Sequence, residues 1–315
     1  SLLEAQKHLG AVLLENNEAE KAIEALGKAL EFHEADAELH RHLGDAYDEL
    51  HNNKLAIEHY ERAIDLDPKQ QDLYYKLGNK YKATLDYRRM LRHYEQAINR
   101  FPGNALFFFE LGEANRELDE AQKAIMYYER ALALNNDFLE AMYALGDIYL
   151  ERGMFDHLIK MYQKAINLYP TNTRAHYELG RAYLKKGDID KTVQLFRKVI
   201  QLDAGHKAVY FDLGDLLMDQ ENYDAALKVY QKAAAIDPKN SMVHFKLARI
   251  YEERGLEEDA QREYRRAKDL QGTNAEIYLK LGQDALKRKE FNQALNEFNQ
   301  ALNLDDSSHE AYKGQ

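Results

Sequence analysis

Six aromatic side chains stand at one register of this sequence, each 34 residues after the last: Tyr75, Phe109, Tyr143, Tyr177, Phe211 and Phe245. Lys7 and Arg41 precede them in the same register, and Leu279 follows. Rings repeated at a fixed interval can form a ladder that grips an extended or helical peptide. Cations beside such a ladder add recognition of carboxylates, most sharply where arginine offers its planar fork. Lys7, Arg41, Lys76, Lys82, Arg174, Arg181 and Lys185 are the cations so placed. The partner that this chemistry suits is a protein or peptide, an acidic segment included.

Other chemistries have less to stand on. His8 and His42 share a register near Glu38 and Asp45, but four ligands at metal-site geometry are not evident, so neither a metal nor another cofactor is expected. The chain has no Cys, which removes disulfides, thiolate metal sites and a Cys nucleophile. Acids and histidines are plentiful but gather in no constellation on a specialised loop, and no insertion builds a water-excluding pocket, so catalysis is not expected. A formal charge of -11 argues against a general nucleic-acid binder, whose footprint is basic. No apolar run is long enough for a membrane span, and residues 1–20 lack the order of a signal peptide. The expectation is a soluble chain, and its Cys-free composition suits cytoplasm and periplasm alike.

The elements that position these residues follow from the same interval. Leu-Gly occurs at Leu9/Gly10 and returns every 34 residues through Leu281/Gly282, with Leu247/Ala248 as the one variant. Taking that Leu as position 7 defines nine repeats: 3–36, 37–70, 71–104, 105–138, 139–172, 173–206, 207–240, 241–274 and 275–308. They read as a single array over 3–308, because self-similarity at this period marks a stack of small units. Position 8 is small, position 20 mostly Ala, position 24 aromatic after the first repeat, and position 27 Ala except for Val199. Apolar residues at positions 4, 7, 8 and 11, then at 20, 21, 24, 27 and 28, have helical spacing. Gly153, Gly187 and Gly255 fall at the end of the first helix, and Pro68, Pro102, Pro170 and Pro238 stop the second. Each repeat is therefore a helical hairpin, too small to be stable unless it stacks on its neighbours.

This pattern resembles the tetratricopeptide repeat. The seventh repeat carries it most fully, with Tyr210, Leu213, Gly214, Ala226, Tyr230, Ala233 and Pro238. The resemblance implies an all-α, right-handed solenoid in which the first helix of each pair lines a concave groove. It also implies a non-catalytic scaffold that binds a peptide or partner protein at groove positions 2, 5, 6, 9, 12 and 13, where the aromatic register and the cations named above fall. Two specialisations within the family are not matched. Of the carboxylate clamp of chaperone-binding members only Lys7 is present, and the position-6 Asn ladder of the glycosyltransferase relatives is replaced by His8, His42, Lys76 and Glu110.

Charge and the ends add three expectations. Repeats three and six are basic, at +4 and +3, within an acidic chain. Repeat eight, where Ala248, Gln261, Lys268 and Gly272 break the pattern, is expected to be the softest. His309, Glu310, Ala311 and Tyr312 fit the start of a tenth repeat truncated at 309–315, which predicts a piece of a longer protein with uncapped ends able to self-associate. A self-assembling structural component, or the scaffold arm of a larger enzyme or of a bacterial polysaccharide secretion machine, is also compatible with these features.

Overall fold

The computed structural model describes residues 2–304, and every regular element in that range is an α-helix. The tenth-repeat segment 309–315 lies outside the described residues. The chain forms two compact bodies, Ser1–Leu168 and Tyr169–Gln315. The N-terminal body contains five hairpins: α1 (Leu2–Glu15) with α2 (Ala19–Leu30), α3 (Ala37–Glu49) with α4 (Asn53–Leu66), α5 (Gln71–Ala83) with α6 (Tyr87–Arg100), α7 (Ala105–Glu117) with α8 (Ala121–Leu134), and α9 (Leu139–Glu151) with α10 (Phe155–Leu168). The C-terminal body contains four: α11 (Thr173–Lys186) with α12 (Ile189–Leu202), α13 (Lys207–Asp219) with α14 (Tyr223–Ile236), α15 (Ser241–Glu253) with α16 (Glu257–Asp269), and α17 (Ala275–Lys287) with α18 (Phe291–Leu304).

The second helix starts at position 17 in every repeat, and from repeat two onward the first starts at position 1. Local chemistry fixes both starts. At position 34 the side chains of Asp36, Asn104, Asn172, His206, Asn240 and Asn274 accept backbone N–H bonds from the first turn of the following helix. At position 16, Asn52, Asp86, Asp188 and Asn222 do the same for the second helix. Each such cap contributes about 1 kcal/mol.

Position 15 turns the chain between the two helices, and all nine residues there have positive φ. The N–H that follows bonds the carbonyl of position 11, as in Asp86 N to Tyr81 O at 2.8 Å and Asp188 N to Tyr183 O at 3.0 Å. This closes the helix end in a Schellman turn. Only three of the nine are Gly; Leu85, for one, holds φ 58° with 71% of its surface exposed. Leu85→Gly is accordingly expected to stabilise the protein by about 1 kcal/mol. The left-handed strain relieved exceeds the entropy that Gly adds to the unfolded chain. A higher urea midpoint with an unchanged slope is the expected reading.

The interior of each hairpin is the meeting of positions 8 and 24. A Cβ added to Gly44 would lie 2.5 Å from the Tyr60 ring, one on Gly112 2.4 Å from Tyr128, and one on Gly214 2.4 Å from Tyr230. Alanines at positions 20 and 27 are buried beside those rings. Position 4, grouped by sequence with the apolar stripe, has a polar task in six repeats: it bonds the carbonyl of position 32 just before it. His176 Nε2 lies 2.9 Å from Pro170 O, Tyr210 Oη donates to Ala204 O at 3.0 Å, and Tyr278 Oη to Gly272 O at 3.1 Å. The turn between repeats is thus pinned to the helix that follows it.

In repeat eight the interior is intact, with Ala248, Ala260, Tyr264 and Ala267 buried together. The departures lie at its edge. Gln261 leaves its buried Oε1 without a partner among the described residues, and Lys268 reaches into repeat nine to pair with Glu297.

Candidate peptide-binding face

Position 5 lies one turn before the close contact at position 8, so its ring leans on the same position-24 aromatic. Phe109 sits 5.7 Å from Tyr128, and Tyr143 6.2 Å from Tyr162. In the C-terminal body Tyr177 lies 5.8 Å from Phe196, Phe211 5.9 Å from Tyr230, and Phe245 6.1 Å from Tyr264. What remains outward differs along the register. Tyr75 is 39% exposed, while Phe109, Tyr143, Tyr177 and Phe211 are half-buried. Phe245, at 3%, is an interior residue with no face to offer.

The cations divide in a similar way. Lys7 is buried among Glu4, Asp36 and Glu38, and the hydrogen bond it donates to Glu38 above all holds its ammonium well above the usual lysine range despite desolvation. Arg41 pairs with Asp72 at 2.9 Å and Lys76 with Asp45 at 2.5 Å, while Lys82 lies 3.6 Å from Glu113 and 3.8 Å from Glu110. Burial raises the Glu110 carboxyl above its ordinary range. In repeat six Arg181 bonds Glu178 at 3.1 Å and lies over the Tyr177 ring at 5.7 Å; Arg174 and Lys185 are exposed.

These pairings reveal a polar lattice that the sequence reading missed. Tyr60 Oη donates to Asp45 at 2.7 Å, and the same oxygen of Asp45 takes Lys76 from the next repeat. Tyr230, Asp215 and Lys246 repeat the arrangement at 2.7 and 2.6 Å. Burial, reinforced by the carboxylate, pushes both phenols far above their ordinary pKa. The signal was present as Asp at position 9, Tyr at 24 and Lys at 6 of the following repeat. It joins hairpin to hairpin, so a position-6 lysine in this pattern is committed to structure.

Histidines serve structure as well. Burial lowers the pKa of His42, and among the described residues no group of three or more His, Asp or Glu side chains could hold a metal ion. His93 stacks on Tyr74 with ring centroids 5.2 Å apart and its Nε2 lies 2.7 Å from Tyr74 O. Burial pushes its pKa from 6.5 down to about 4. The unfolded chain therefore binds a proton between pH 6.5 and 4 that the folded chain refuses, and stability falls as pH falls through that window. By pH 5 the loss is about 2 kcal/mol at 1.36 kcal/mol per unit. His93→Phe is expected to lose that part of the slope when urea midpoints at pH 7.5 and 5 are compared with those of the parent.

Helical hairpins at one 34-residue period, with aromatic and charged side chains on their first helices, define an all-α repeat scaffold for protein interaction. The chain belongs to the tetratricopeptide repeat family. Residues 49–84, 146–187 and 214–255 match the family described as TPR repeat. Residues 185–229 and 75–137 match two families each described as tetratricopeptide repeat. No curated protein sequence matches. Among solved structures, a tetratricopeptide repeat protein from Parabacteroides merdae is 17% identical, covers 74% of this chain and 93% of its own, and has a TM-score of 0.53, which shows a shared fold. YrrB, described as a TPR protein with an unusual peptide-binding site, is 25% identical over 59% of this chain and 95% of its own, with a TM-score of 0.49. MamA from Desulfovibrio magneticus RS-1 is 18% identical over 54% and 96%, also at 0.49. No helix is long and apolar enough to cross a membrane among the described residues.

Proposed function

We propose that this scaffold binds a peptide or a segment of a partner protein along the first helices of its repeats, with repeat six as the anchor. The observation that carries the reading is at Tyr177 and Arg181. An aromatic ring that keeps part of its surface outward lies under a guanidinium, beside the exposed Arg174 and Lys185, in a repeat of charge +3. Stacked guanidinium and ring suit a ligand carboxylate followed by an apolar side chain. Tyr143, Phe109 and Tyr75 extend the same register in the N-terminal body. The groove cations Lys7, Arg41, Lys76 and Lys82 are held in ion pairs with neighbouring repeats, whereas Arg181 pairs with Glu178 on its own helix, a partly exposed contact that a ligand carboxylate can exchange with, so repeat six is the centre of this reading for recognition of charge. Tetratricopeptide repeats are typically non-catalytic, and binding without turnover is the activity expected.

Selection of peptides from a random display library on the intact chain tests this reading. Selected peptides are expected to be enriched in Asp and Glu next to an apolar residue, and to lose about tenfold or more in affinity for an Arg174→Glu, Arg181→Glu variant. Peptides that bind parent and variant equally would remove repeat six as the anchor.

A further inference from the structure

Clefts open between the second helices of two pairs of neighbouring repeats, one in each body, and they differ in a telling way. Between α4 and α6 the cleft holds about 360 Å³. It is crossed by a tie, the Tyr81 hydroxyl donating to Glu61 of the preceding repeat, and the carboxylates Glu61 and Asp65 line it together with Arg89 and Arg92. Tyr149 and Glu129 make the same tie two repeats later at 2.8 Å. Between α12 and α14 the cleft is larger, about 540 Å³. There the tyrosine of the tie is replaced by Leu217 and its glutamate by Arg197, so this tie is missing.

The lining of this second cleft has a distinct chemistry. Its floor is apolar, made by Leu213, Leu217, Ile200 and Val229. Its rim carries Arg197, Lys228 and Lys232, all exposed, and none of the three forms an ion pair among the described residues. The one carboxylate at the rim, Asp224, is turned to Arg254 at 3.1 Å. Many cations of this chain sit against one of its acids, as Lys207 does against Asp237 and Lys246 against Asp215. Three cations left together around an apolar opening, in a chain of net charge -11, form a local positive field with a hydrophobic centre.

We propose that this cleft is a second docking site, separate from the first-helix face, for an acidic peptide segment that inserts a large apolar side chain between flanking carboxylates. The apolar floor takes the inserted side chain, and the exposed rim cations meet the carboxylates. Charge complementarity selects this occupant: a basic segment is repelled by the rim, and a neutral one leaves the rim unpaired.

The test uses the whole chain and a fluorescein-labelled probe peptide, Glu-Glu-Phe-Leu-Glu-Glu, with its Gln-Gln-Phe-Leu-Gln-Gln counterpart as control. Fluorescence anisotropy is expected to show binding of the acidic probe that weakens with salt, and binding of the control at least about tenfold weaker. Leu217→Tyr with Arg197→Glu rebuilds the tie seen at Tyr149 and Glu129, and is expected to close the cleft and abolish binding with helicity unchanged by circular dichroism. Lys228→Glu with Lys232→Glu, both on the surface, is expected to reduce affinity about tenfold or more, and decides the matter should the closing variant fail to fold. No binding of the acidic probe, equal binding of the control, or undiminished binding to the folded variants would each overturn the proposal.

Discussion

Tyr128→Ala is expected to destabilise the N-terminal body by about 4 kcal/mol, within the range for deleting a fully buried aromatic. Tyr128 is 0% exposed, and its ring lies over the backbone of Gly112, so close that even a methyl group on that glycine would come within 2.4 Å of Cε1. The flanking Ala124 and Ala131 are buried and too small to fill the space, and Phe109, whose ring lies 5.7 Å away on the outer side, replaces only part of the lost packing. A second cost comes from the hydroxyl, which donates to Glu113 Oε1 at 2.5 Å in a region where that carboxylate has little contact with water. Lys82 and Arg116 remain beside Glu113, at 3.6 and 3.3 Å, so this second cost is the smaller.

Two companion variants separate the contributions. Tyr128→Phe keeps the ring and is expected to cost about 1 kcal/mol, the usual net worth of one hydrogen bond. Phe196 and Phe298 already occupy the equivalent position in repeats six and nine. Gly112→Ala attacks the same contact from the other side and is expected to cost about 2 kcal/mol through overpacking. Because repeat arrays can unfold in parts, the reading should be amide exchange across 105–138 together with the urea midpoint. A loss under about 1 kcal/mol for Tyr128→Ala would falsify the interlock of positions 8 and 24 as the source of hairpin stability.

That interlock is also where sequence was most informative. A small residue at position 8 and a large ring at position 24, repeated in phase, can be paired on paper because both lie in one hairpin and the helical period puts them on facing sides. The phase likewise placed the turn after the first helix, where Gly153, Gly187 and Gly255 hold positive φ. What escaped was polar detail. His40, His176 and His244 at position 4 read as part of an apolar stripe, whereas their Nε2 atoms lie against the position-32 carbonyl. The caps at positions 16 and 34 went unread because Asn, Asp and His share that task, so no single residue type recurs.

The candidate site was legible by register and not by availability. Position 5 is aromatic from Tyr75 to Phe245, yet outward surface depends on how far each ring sinks against position 24, and Phe245 sinks completely. Lys7, Lys76 and Arg41 occupy recognition positions by count, but carboxylates about one repeat away in sequence engage them. A periodic pattern states which residues share a face. It does not state which charges on that face are already neutralised, since that depends on pairs such as Asp45 and Lys76 whose members belong to different repeats. For function the consequence is specific: Lys7, Arg41, Lys76, Lys82 and Lys246 are taken up in ties between repeats, so register alone overstates how many cations are open to a partner.

The same principle gives the second large effect. Lys268→Met is expected to destabilise the junction of repeats eight and nine by about 3 kcal/mol, although it places an apolar residue where the repeat pattern favours one. The reason is Glu297, which is 2% exposed on α18, pairs with Lys268 through Oε1, and has no hydrogen-bond partner for Oε2 among the described residues. Removing the lysine leaves a buried carboxylate uncompensated, which costs far more than the intact pair contributes. Replacing both partners, Lys268→Met with Glu297→Leu, is expected to recover most of the loss, since two apolar side chains can replace a buried pair at little cost. Amide exchange along α16, α17 and α18 distinguishes these outcomes. Strong coupling in the double-mutant cycle would show that repeats eight and nine depend on this charged junction; purely additive effects would show instead that Glu297 finds water when Lys268 is gone, and that the pair holds nothing together.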